Sequence, residues 1–93
     1  MKIDGKHLVV GEVMKVKDGS IIDPDEIVIF RVHDNAFYTM VRRYPEACRG
    51  VGADPRQIEA AELMVERIER WRAKNPSRCK NPDIAPGETM DIA

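Results

Sequence analysis

Cysteine is scarce in these 93 residues: only Cys48 and Cys79 occur, far apart and with no second pair to complete a zinc knuckle. Two isolated thiols in a chain of this kind are expected to stay reduced, with a disulfide tying the tail to the first helix as the less favoured alternative. Aromatics are scarce too, one Trp, two Tyr and two Phe, which leaves little from which to build a base-stacking platform. The net charge is only −1, so no global field draws the chain to nucleic acid or to an anionic membrane, and little charge opposes self-association. Long apolar runs are missing as well. The longest strictly aliphatic or aromatic stretch covers residues 27–30, against the ~20 residues that a membrane-spanning helix needs. The opening MKIDGKHLVV carries Lys2, Asp4 and Lys6 and has no continuous apolar core, so no signal peptide and a cytoplasmic location are expected. Asn75-Pro76-Ser77 fails as a glycosylation acceptor because proline holds the middle position.

What is present is the composition of a folded protein, 43% hydrophobic and 33% charged. A chain of this size buries roughly 60–65% of the surface that its unfolded form exposes, which implies modest stability and invites support from a partner.

The most legible segment is residues 54–75, DPRQIEAAELMVERIERWRAKN. Asp54-Pro55 is a helix start, and Asn75-Pro76 is a stop. Between them, Ile58, Ala61, Met64, Val65, Ile68 and Trp71 recur at spacings of three and four, the stripe of an amphipathic helix. Acids gather early and bases late, which complements the helix dipole, and Glu66 and Arg70 are spaced for an i,i+4 pair.

Upstream, the first 32 residues read as extended. Leu8, Val10, Met14 and Val16 fall on alternate positions, as on a strand with one buried face, and Gly11 marks a bulge or a close approach. Asp18-Gly19 is a hairpin turn. Residues 27–32, Ile-Val-Ile-Phe-Arg-Val, suit a central strand. A helix from Asp23-Pro24-Asp25-Glu26 competes with that strand, but the β-branched run and a fresh cap at Asp34-Asn35 favour the strand.

A first helix is expected from about Asn35, with Phe37, Met40, Val41, Tyr44 and Cys48 on its inner side. Pro45 must kink it or divide it near Arg43, because proline has no amide hydrogen and crowds the carbonyl four residues back. Gly50-Val51-Gly52 ends it, and a short loop should then fold the two helices into a hairpin. The expected fold is α+β: an N-terminal antiparallel β-hairpin or three-stranded sheet packed against a C-terminal αα-hairpin. Residues 1–76 form a single small domain, and 77–93 an extended or disordered tail that Ile84, Met90 and Ile92 could anchor.

Residue types that carry chemistry fall into weak patterns. His33-Asp34 stands at a strand-to-helix junction, but no nucleophile is paired with it at a meaningful spacing, and Asp34 is accounted for as a helix cap. His7 is equally unsupported. Asp18, Asp23, Asp25 and Glu26 lack the ligand order of a calcium loop and suit turns and caps. No catalytic residue, cofactor or metal is therefore expected. In the basic segment, Arg67, Arg70, Arg72, Lys74, Arg78 and Lys80 stand against Glu69 alone. Such a stripe can neutralise phosphates, although a solvated face accounts for it more simply.

Met64, Ile68 and Trp71 are the candidates for a protein interface, because a small domain cannot easily cover so long an apolar stripe. The function expected is a non-enzymatic protein-interaction or assembly module, with homodimerisation through the helical hairpin as one form. The alternative is a small nucleic-acid-binding protein using Arg67, Arg70, Lys74, Arg78 and Lys80. The architecture itself is shared by many unrelated proteins and does not license a function.

Overall fold

The computed structural model describes residues 1–90, so Ile92 lies outside the described residues. The chain is α+β, as expected, with a short antiparallel hairpin followed by three helices. It divides into two compact units: Met1–Ile29 with the described part of Asp83–Ala93, and Phe30–Pro82. Residues of the tail contribute to both units, so the boundary expected at residue 76 does not coincide with this division.

In the first unit, β1 (Val13–Met14) pairs with β2 (Ile21–Ile22) in the register Val13↔Ile22 and Met14↔Ile21. Asp18-Gly19 does turn the chain between them. The Asp18 carboxylate accepts from the Ser20 amide at 2.9 Å and the Ser20 hydroxyl at 2.7 Å, and these bonds hold it below the usual carboxylate range. A second, smaller reversal brings Lys2 opposite Leu8 around Asp4-Gly5-Lys6. Tail residues pack against this turn. The Thr89 amide donates to the Gly5 carbonyl at 3.1 Å, and a side chain at Gly5 would collide with the Thr89 carbonyl. Lys6 adds a bond to the Asp83 carbonyl and lies 3.6 Å from Glu88.

Two expectations for this region need correction. Leu8, Val10, Met14 and Val16 are not a buried face: each is more than half exposed, and Val10 and Val16 are almost wholly so. The ladder is only two residues deep, so Leu8, Val10 and Val16 fall outside the pairing that would have stacked them. Residues 27–32 do not form a strand. They are extended at first, but no neighbouring chain pairs with them among the described residues, and Val32-His33 already turns toward the helix. The competing helix start at Asp23-Pro24 is used for a single 3₁₀ turn, Pro24–Glu26, after which Ile27 returns to extended backbone. Asp23 makes no side-chain cap bond there, which removes the support that a longer helix needs. Among the described residues a third strand is therefore not formed.

The second unit holds the helices. In α1 (Asn35–Val41) the Asp34 carboxylate accepts from the amides of Ala36 and Phe37. Pro45 ends it as anticipated. Arg42 and Arg43 make a turn, and α2 (Tyr44–Gly50) restarts with proline in its first turn, where no amide hydrogen is needed. Gly52 then takes the left-handed conformation, φ +72, while its amide bonds to Arg49 and the Ala53 amide to Cys48. This is the paired-carbonyl C-cap that favours glycine. Helix α3 (Pro55–Lys74) starts and stops where its sequence signals stand, with the Asp54 side chain accepting from the Arg56 amide.

Helices α2 and α3 pack on each other, and Val41, Pro45, Cys48, Ala61, Val65 and Ile68 are the buried apolar residues among those described. Arg49 of α2 reaches Glu62 of α3 at 2.7 Å. The expected Glu66–Arg70 pair is not formed among the described residues; instead the Tyr38 hydroxyl donates to Glu69. Residues 79–81 lie beside the start of α1. The Lys80 amide donates to the His33 carbonyl, the Asn35 amide to the Lys80 carbonyl, and the Asn35 side chain to Asn81. The beginning of the tail expected to be extended or disordered is thus hydrogen-bonded, whereas Ile84 and Met90 are exposed.

Candidate functional site

Around the break at Pro45 lies an apolar groove of about 540 Å³ in the helical unit. Phe37, Met40 and Val41 come from α1, Tyr44 and Ala47 from α2, Met64 from α3, and Arg43 stands at the turn between the first two. Met40 is 53% exposed and Tyr44 45%, although sequence periodicity assigned both to the inner side. Two short helices meeting at a turn present two separate faces, so a single continuous helical stripe predicts the wrong inward set. Phe37 stacks on Phe30 at 5.3 Å between centroids with the rings 8° apart.

The three residues singled out on α3 end in different places. Met64 is half-buried and lines the groove. Ile68 is 4% exposed and belongs to the core. Trp71 is half-buried, with the Arg78 guanidinium 5.0 Å from its ring centroid.

A second depression, about 450 Å³, is lined by Tyr38, Glu69, Arg72, Ala73, Pro76 and Cys79. Its polar groups are engaged with one another. Arg72 lies over the Tyr38 ring at 4.6 Å and donates to the Val32 carbonyl and the Asn35 side chain. The Tyr38 hydroxyl donates to Glu69 at 2.7 Å, and that bond, with burial second, raises its pKa. Arg72, a member of the basic segment outside the candidate phosphate-binding set, is thus engaged within the helical unit. Arg67, Arg70 and Lys74 are exposed on α3, Arg78 is exposed over Trp71, and Lys80 is exposed with its backbone in the bridge to Asp34.

His33 and Asp34 are not hydrogen-bonded to each other among the described residues, because both Asp34 bonds described above go to amides of α1. An imidazole–carboxylate pair does occur elsewhere, in the first unit. His7 Nδ1 lies 2.8 Å from Asp4 Oδ2, and the Asp4 carboxylate also accepts from the Lys6 and His7 amides. The His7 bond leads in holding Asp4 below its usual range. The Asp4-Gly-Lys-His7 spacing, an aspartate whose side chain caps a turn three residues before a histidine, was the signal that could have revealed it. Among the described residues no Ser, Thr or Cys side chain bonds to this pair.

Cys48 is buried and Cys79 half-buried, and both thiols are free. Among the described residues no three His, Cys, Asp or Glu side chains gather closely enough to hold a metal ion, and no helix is long and apolar enough to cross a membrane. Comparison with protein-family models, with curated proteins and with solved structures gave no match.

Proposed function

We propose that the chain is a non-enzymatic protein-interaction or assembly module whose contact surface is the groove of Phe37, Met40, Val41, Tyr44, Ala47 and Met64. The observation that carries this reading is the groove itself: an open lining, apolar except for Arg43 and the Tyr44 hydroxyl, in which Met40 and Tyr44 are exposed, Phe37 and Met64 half-buried and Val41 buried at the base. Its volume is within the roughly 300–1,000 Å³ of ordinary binding clefts. Tyrosine, methionine and arginine are also the side chains that interfaces favour. Sequence periodicity had offered Met64, Ile68 and Trp71; the proposed surface keeps Met64 and replaces the other two with residues of α1 and α2.

The test is whether a protein segment fills this groove. The chain is titrated with an amphipathic helical peptide carrying a leucine stripe, and solution mass is measured up to high micromolar concentration, because a second copy is one candidate occupant. Binding or self-association should be weakened roughly tenfold or more by Met40→Glu. A monomer that takes up no such peptide would remove the reading.

A further inference from the structure

We propose that the groove takes an acidic amphipathic helix of a partner protein, an inference that rests on the interaction-module reading above. Its lining contains no carboxylate, and its one charged member is Arg43. Among the described residues Arg43 has no ion-pair partner, whereas Arg49 meets Glu46 and Glu62, Arg56 meets Asp54, and Arg72 is bonded to Val32 and Asn35. The Tyr44 hydroxyl, beside Arg43 in the chain, also finds no acceptor among the described residues. Arg67 follows Met64 by one helical turn and is exposed and unpaired in the same sense. The surface thus combines an apolar floor with the positive charge of Arg43 and the donor of Tyr44. The ligand that answers both is an apolar stripe flanked by carboxylates, because an arginine gains most from a planar acidic acceptor.

The walls decide the form of that ligand. They are α-helices whose backbone groups are largely paired within the helices, so the groove lining offers no sheet edge to which an extended strand could add. A helix laid in the groove needs only side-chain contacts. A second copy of this chain fits less well. In a two-fold pair the same patch meets itself, bringing both Arg43 side chains into one interface with no lining carboxylate to answer them.

Two designed helical peptides with the same leucine stripe test this, one flanked by glutamates and the other by lysines. Their binding to the full chain is followed by fluorescence anisotropy at low and high salt, for the wild type, Arg43→Glu and Met40→Glu, with circular dichroism confirming that each variant folds. The acidic peptide should bind about tenfold tighter than the basic one, with the preference shrinking at high salt and reversing in Arg43→Glu. Equal binding of both peptides overturns the acidic partner while leaving the interaction module standing. Self-association abolished by Met40→Glu, with neither peptide bound, makes the occupant a second copy and also overturns the inference. A monomer that binds neither peptide removes both readings together.

Discussion

His33 shows how little a residue's neighbours in sequence reveal of its surroundings. Its apparent partner, Asp34, is committed to the amides of α1, and the groups that act on the imidazole come mostly from elsewhere. Burial comes first in lowering the His33 pKa below 6.5; Arg31 and Lys80 add to it, Asp34 opposes them, and Arg78 contributes a further push down. The unfolded chain therefore takes up this proton before the folded one does. Stability supplied by neutral His33 is complete above about pH 6.5 and is lost as the pH falls below that value, until the folded state is protonated too. The urea midpoint of the wild type should consequently drop more between about pH 7.5 and about pH 5 than that of His33→Gln. Parallel declines in the two proteins would show that His33 plays no part. Lys80 and Arg78 follow His33 by more than forty positions, and no spacing rule could have brought them to it.

Whole elements were legible where their signals act over a turn or two. Asp54 and Asn75 bounded α3 correctly, and Pro45 divided α1 from α2, because capping and the missing proline amide concern groups within four residues. Gly52 belongs to the same class. Its φ of +72 is left-handed, and a Cβ placed there would meet nothing, so Gly52→Ala isolates backbone strain from crowding. It should lower stability by about 1–2 kcal/mol in chemical denaturation, whereas Gly11→Ala, in open space with no positive φ, should be near neutral. If the two variants unfold alike, the cap after α2 is not under conformational selection. Residues 27–32 went the other way. A run of Ile, Val and Phe states a preference for extended backbone, and extended backbone is how it begins, but a strand also requires a neighbour, which the run cannot specify.

At the scale of the whole molecule, the question was which apolar side chains would be covered. On α3 a single stripe ran from Ile58 to Trp71, yet only Ala61, Val65 and Ile68 are buried, while Met64 opens onto the groove. Ile68→Ala should therefore cost about 2–5 kcal/mol, the range for emptying a packed aliphatic site. Met40→Ala, at a side chain already 53% exposed, should change stability by no more than about 0.5 kcal/mol while still weakening binding to the groove. Comparable losses from both would place Met40 in the core after all.

Sequence by itself determined the caps, the proline break, the hairpin turn and the amphipathic character of α3, since each is an interaction between residues close in the chain. Only the tertiary structure decided that Leu8, Val10, Met14 and Val16 stay exposed, that Ile68 is core, and that Met40 and Tyr44 line a groove with Arg43. Burial is a property of what packs opposite a face, and an amphipathic pattern names the face without naming what lies against it.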